Sequence, residues 1–219
     1  MTTAEDRPTS AATERAGDLD FYFDPMCPWT WMTSRWLVDA ARRRGLTVTW
    51  RSLSLLVLSD GEPDDEHAEG ARVAARAHRM FAALADAGRD DLVGDLYTEI
   101  GTRHHDQAHE LTVDLVRSAV ERVGAGPWSD AIDDDGWDAA VERSTKEALQ
   151  LAGPDVGSPV LAHGTPRVGF FGPIVNPGPR GEQAARLLDL VLQATDIEGF
   201  FELKRGRTRG PLLPAAPPG

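Results

Sequence analysis

The chain has a single cysteine, Cys27, among its 219 residues. One cysteine cannot close an internal disulfide, so the fold is expected to stand on packing alone. Positive charge is scarce too: 23 lysines and arginines face 35 aspartates and glutamates, for a net charge of −12. That balance argues against nucleic acid or an anionic membrane surface as a partner, because both demand a basic patch. No apolar run approaches the roughly 20 residues of a membrane span. The stretch Thr2 to Gly17 is polar and acidic and lacks an apolar centre, so it does not read as a secretory signal. A disordered arm over residues 1–17 and a cytoplasmic address are the expectations. Lysine itself is nearly absent, Lys146 and Lys204 against 21 arginines, and with abundant alanine this points to a GC-rich genome.

Hydrophobic content of 41% and charge of 26% are ordinary for a globular protein able to bury a full core. The lone cysteine stands at an informative place. Phe21, Tyr22 and Phe23 read as a buried strand, Asp24-Pro25-Met26 as a turn, and Trp31 to Arg44 as a helix with Met32, Trp36 and Ala40 on one face. Pro28 follows Cys27 where a helix tolerates proline best, at its first turn. The unpaired N–H groups and positive dipole end of a helix stabilise a thiolate there. Cys27 therefore reads as a reactive thiol ionised near neutral pH, with a small buried hydrophobe as the alternative.

Gly45 stops that helix, and Thr47 to Trp50, continuing toward Leu53, make a second strand. From about residue 60 the spacing turns helical. Apolar stripes run through Val73, Ala77 and Leu84, through Leu92, Leu96 and Ile100, through Leu111, Leu115, Ala119 and Val123, and through Ala140, Val141, Ala148 and Leu151. Strands resume with Pro159–His163 and Val168–Phe171 as a hairpin, and Ala184 to Leu192 form an amphipathic last helix. The order β-α-β-(helices)-β-β-α is that of an α/β thioredoxin-like fold with an inserted all-helical domain. The expected division is 18–59 with 153–205 as the thioredoxin-like domain, 60–152 as the helical insertion and 206–219 as a flexible tail. Phe200, Phe201 and Leu203 are candidates to pack back on the body.

Phe23-Asp24-Pro25-x-Cys27-Pro28-Trp29 with Ser34-Arg35-Trp36 resembles the DsbA-like thioredoxin superfamily and, within it, the mycothiol-dependent nitroreductase family. Leu96-Tyr97-Thr98 with Gly101, His105, His109-Glu110-Leu111, Asp155-Val156-Gly157-Ser158-Pro159 and Phe170-Phe171-Gly172-Pro173 match the same group, as do Pro179-Arg180-Gly181-Glu182 and the stretch Phe200 to Arg205. The match covers about residues 19–208. The resemblance implies a cis proline at Pro159, with the Ser158 backbone facing the Cys27 sulfur to align a thiol ligand. It also implies a low-molecular-weight thiol, mycothiol, as cosubstrate beside a small organic substrate. The chain departs from the family where many members carry a second cysteine three residues after the first; here that residue is Thr30. Thr30 cannot resolve a mixed disulfide, so release must come from a second thiol in solution. Its hydroxyl is expected to donate to the Cys27 thiolate, as a serine does in kappa-class glutathione transferases and chromene-carboxylate isomerases.

The remaining candidates carry paired readings. Pro28 and Trp29 border the sulfur; Trp29 is a stacking wall of the ligand pocket or a core tryptophan. Tyr97 points its hydroxyl at substrate or sits in the core. His105 walls the cleft. The run His104-His105-Asp106-x-x-His109 puts His105 and His109 on one helix face, but no fourth ligand completes a metal site, and Asp106 or Gln107 reads as well as a helix cap. Asp24 tunes Cys27 or shapes the turn. Asp133 to Asp135 read as a solvated helix start. Arg180-Gly181-Glu182 reads as a helix entry, or as a carboxylate site. Ser59 and His67 fall in the segment that lines the family's cleft, with residues unlike the usual ones. The expected function is a cytoplasmic monothiol oxidoreductase or thiol transferase. The alternatives are a kappa-type isomerase or conjugating enzyme and a non-catalytic binding protein on the same fold.

Overall fold

The computed structural model describes residues 18–63 and 67–213. The arm expected at residues 1–17 and the last part of the expected tail lie outside them. Strand β1 (Leu19–Phe23) is buried at all five positions, as a strand covered on both faces must be. It pairs parallel with β2 (Val48–Ser52), Leu19 opposite Val48, and antiparallel with β3 (Val160–His163), Leu19 opposite His163. Strand β4 (Val168–Phe171) closes the hairpin with β3, giving the order β2-β1-β3-β4.

Side chains alternate across a strand, and the two faces of β1 belong to different clusters. Leu19, Phe21 and Phe23 pack with Trp36 and Leu37 of α1 (Pro28–Arg44), while Tyr22 packs with Ala148 of α6 (Asp138–Ala152) and Val160 of β3. Helix α7 (Glu182–Thr195) lies along α1, and the Trp36 indole N–H donates to the Ala184 carbonyl at 3.1 Å. Between β2 and α6 come the short α2 (Leu55–Leu58), α3 (Ala68–Asp86), α4 (Asp90–Gly101) and α5 (Val113–Arg122). Helix α1 begins at Pro28, three residues earlier than its apolar spacing implies, because Cys27 takes the extended cap position and proline the first helical one. It ends under Arg42, Arg43 and Arg44 with Gly45 at φ 67°.

The helical block departs from regular α-helix beside the site. After α4 the chain widens into a π turn over Thr102–Asp106 and then reverses at Ala108, φ 54°. Helix α5 begins at Val113, where the Thr112 side chain accepts from the Leu115 N–H; neither Asp106 nor Gln107 caps it. Asp106 instead accepts the Trp31 indole N–H at 2.8 Å. The close approach here needs Gly101, since a Cβ on it would lie 2.2 Å from the Trp31 ring. Asp133 pairs with Arg76 and Arg117, and the α7 entry is a plain one: the Gly181 N–H is already taken by the Asp39 carboxylate at 2.8 Å. Phe200 packs on Phe170, with ring centroids 5.7 Å apart, but Phe201 and Leu203 face solvent.

Candidate active site

The turn between β1 and α1 is tied down by one buried carboxylate. Asp24 Oδ1 accepts the Met26 N–H at 2.8 Å, and Oδ2 accepts the Leu55 N–H at 2.8 Å. His78 of α3 completes the set, Nε2 lying 3.3 Å from Asp24 Oδ2 and Nδ1 2.9 Å from the Ser52 hydroxyl. The turn delivers Cys27 to the α1 cap, where its N–H donates to the Asp24 carbonyl and its own carbonyl accepts the first helical N–H, that of Trp31.

Ser158 meets this turn from the other side of the chain. Its peptide bond to Pro159 is cis. The Ser158 carbonyl is the acceptor for the Cys27 thiol, 3.8 Å from Sγ. Its hydroxyl accepts the Asp24 N–H at 3.0 Å and lies 2.7 Å from the Thr30 hydroxyl. The amide N–H can only donate, so one Ser158 lone pair is committed there. The arrangement that uses every proton has Ser158 donating to Thr30, which leaves the Thr30 proton for the Cys27 sulfur.

The sulfur does not show the low ionisation expected of a helix tip. Burial is the largest effect and pushes the Cys27 thiol above its ordinary value. Hydrogen bonds from the Thr30 hydroxyl, and from the Thr30 and Trp29 N–H groups, pull the other way, and the Asp24 charge adds to the rise. The helix tip is where it was expected; desolvation outweighs it.

A cavity of about 730 Å³ opens on Cys27. Met26, Pro28, Leu55, Leu111 and Leu213 give it apolar walls, His105 and His104 border it, and Glu62, Glu69 and Glu110 bring carboxylates. Ser59 and His67 line it as well. His105 is 3% exposed and stacks on Trp31 at 5.8 Å. Its Nε2 donates to the Pro25 carbonyl at 2.9 Å, since a carbonyl only accepts. Burial, with help from His104, lowers its pKa to about 4. The unfolded chain takes up that proton at the ordinary histidine value. Stability held by neutral His105 is therefore complete above about pH 6.5 and is lost as pH falls toward the folded value. His105→Phe should flatten this stretch of the stability curve; urea midpoints of the two proteins between pH 7 and pH 4 check it, and parallel curves would refute it.

Two sequence candidates go elsewhere. Tyr97 does not reach the cavity; it is fully buried against Phe23 (4.1 Å between centroids), Trp50 and Trp31, and its hydroxyl has no hydrogen-bond partner among the described residues. Trp29 is not part of the cavity wall either: the Arg207 guanidinium carbon sits 4.8 Å from its ring centroid. His105 and His109 do not share a helix face, because the π turn ends between them and His104 Nδ1 is spent on the His109 carbonyl. Sequence reading missed His78, Met26, Leu213 and the three glutamates. His78 was findable as a core position, being four residues after Ala74 and three before Phe81, both buried.

A parallel β-α-β half, an antiparallel hairpin and a cysteine at the cap of the first helix define a DsbA-like thioredoxin fold. The cytosolic disulfide reductase DsbM of Pseudomonas aeruginosa, solved with glutathione, superposes with a TM-score of 0.52 at 16% identity, over 80% of this chain and 98% of that one. A 2-hydroxychromene-2-carboxylate isomerase gives 0.51 at 14% identity, over 79% and 92%. The chain belongs to the Rv2466c-like family, that of the mycothiol-dependent nitroreductase Rv2466c, whose model matches residues 26–205. An uncharacterised protein of Mycobacterium tuberculosis, Rv2286c, is 28% identical over 200 residues, 87% of this chain and 82% of its own.

Proposed function

We propose that this protein is a cytoplasmic monothiol oxidoreductase or thiol transferase with mycothiol as its thiol partner. The observation that carries it is the Cys27 sulfur in a cavity wall, 3.8 Å from the Ser158 carbonyl, with a threonine where a resolving cysteine would stand. The Cys27 thiolate attacks a small disulfide R–S–S–R′, forming Cys27–S–S–R and releasing R′–S⁻, which takes up a proton. A mycothiol thiolate then attacks the sulfur of R, which forms the R–mycothiol disulfide and returns Cys27 as thiolate. The Thr30 hydroxyl, its proton oriented by the Ser158 hydroxyl, donates to the ionised sulfur in both steps, and Pro28 and His105 bound the space the disulfide enters. The carboxylates of Glu62, Glu69 and Glu110 disfavour an anionic thiol such as glutathione and suit an uncharged sugar thiol.

The protein treated with mycothiol disulfide should gain one mycothiol by intact mass, lost again on adding free mycothiol and absent in Cys27→Ser. Glutathione disulfide should react several-fold more slowly. Thr30→Cys should acquire an internal disulfide and faster turnover. Binding of mycothiol without any adduct would refute the monothiol cycle and favour a carrier role, as in a kappa-type isomerase, or a plain binding protein.

A further inference from the structure

The sequence reads as frayed after Gly206, yet residues 206–213 are held across the active-site face. Arg207 stacks on Trp29, two residues from the reactive sulfur. Asn176 grips the segment with both ends of its amide: Nδ2 donates to the Gly210 carbonyl at 2.6 Å, and Oδ1 accepts the Leu212 N–H at 3.1 Å. The next residue, Leu213, packs on the main core and forms part of the wall of the Cys27 cavity.

Hydrophobic burial alone does not explain this path. The same stretch leaves Phe201 85% and Leu203 91% exposed, and Leu212 half exposed, while Leu213 turns inward. The inward turn follows directly on the two Asn176 hydrogen bonds, which fix the backbone at Gly210 and Leu212. Around Cys27 the walls come from the turn, α2 with its following loop, the start of α3, and the π turn with Glu110 and Leu111 after it; the strap adds Leu213.

We propose that Gly206–Leu213 is a strap that sets substrate size, confining Cys27 to small disulfides and thiols and excluding bulky or protein-borne ones. This rests on the reading of Cys27 as the reacting thiol. Beyond the packing of Leu213, the strap is held by one exposed cation–π contact and two hydrogen bonds, each weak by itself. Its release is therefore within reach of a point variant.

The test uses the full chain and two thiosulfonates, methyl methanethiosulfonate and one bearing a biphenyl group. Each transfers its R–S group to the Cys27 thiolate, forming Cys27–S–S–R and releasing methanesulfinate, which mass spectrometry follows. Asn176→Ala with Arg207→Ala should raise the biphenyl-to-methyl rate ratio by about tenfold or more, equivalent to about 1.4 kcal/mol of barrier. Asn176→Ala alone, which leaves Trp29 covered, should move the ratio in the same direction by less. A ratio within about twofold of the parent in both variants would overturn the strap while leaving the reactive thiol intact. Failure of the methyl reagent to modify Cys27 in any of the proteins would overturn the thiol reading and the strap together.

Discussion

Asp24→Ala should lower the free energy of unfolding by about 3–5 kcal/mol, the range for breaking a buried charged network by removing one partner. The carboxylate is 1% exposed and has three donors around it, the Met26 and Leu55 N–H groups and the His78 ring. A carboxylate only accepts, so Nε2 of His78 carries the proton it offers. Alanine leaves these donors buried without acceptors, at about 1–3 kcal/mol for each group. The Asp24→Asn variant keeps the shape of the side chain but turns an NH₂ toward a donor, so it too is destabilising. It carries a second signature that a merely structural residue would not give. The Asp24 charge pushes the Cys27 thiol up, so removing the charge lets the thiol ionise at lower pH. Asp24→Asn should therefore be less stable in urea and also react faster with iodoacetamide at pH 7. An unfolding free energy within about 1 kcal/mol of the parent would refute the anchoring role, and an unmoved alkylation profile would refute the electrostatic one. The same side chain thus fixes the turn and opposes the ionisation of the sulfur it positions.

What was legible in the sequence divides along the distance between partners. Cys27, Pro28 and the strand–helix junction are neighbours in the chain, so local rules about caps and proline place them. Periodicity also placed the buried faces of α3 and α4. It does not say what covers a buried face, and that is why Tyr97, at a core spacing between Leu96 and Ile100, was open to a pocket reading that the rings of Phe23, Trp31 and Trp50 exclude. His78 sits on a readable core face, but its partner Asp24 is 54 residues away and its other partner Ser52 is 26 away. No spacing rule joins them. Ser158, 131 residues from Cys27, entered only through the family resemblance, and the role of its hydroxyl was not part of that. The opposition to ionisation was hidden for a related reason: helix position is local, whereas the burial that pushes the thiol up is the sum of the whole fold. Composition likewise reads the Pro/Gly/Arg-rich tail as loose, because the asparagine that holds it is 34 residues upstream.

Thr30→Val tests the chemical centre of the site. A hydrogen bond to a charged group contributes about 1.5–3 kcal/mol, so losing the Thr30 proton should raise the already elevated Cys27 ionisation further and cut its reaction rate at pH 7 by about one to two powers of ten. The sign follows from the species involved: below its ionisation the thiol reacts only through its small thiolate fraction, and that fraction falls tenfold for each unit the value rises. Well above it both proteins are thiolates, so their limiting rates should converge, a convergence that misfolding or a blocked cavity would not produce. Thr30→Ser should restore most of the rate at pH 7, since it returns the hydroxyl. Ser158→Ala removes the group that orients the Thr30 proton, and its effect should be in the same direction and smaller. The double variant Thr30→Val with Ser158→Ala should be no worse than Thr30→Val alone, because once the terminal donor is gone nothing remains for Ser158 to orient. Iodoacetamide rates for the parent and these four variants from pH 6 to 11 decide it. Additive losses would mean that the Ser158 hydroxyl acts on the sulfur independently of Thr30, and that the ordered hydroxyl pair is not what steadies the thiolate.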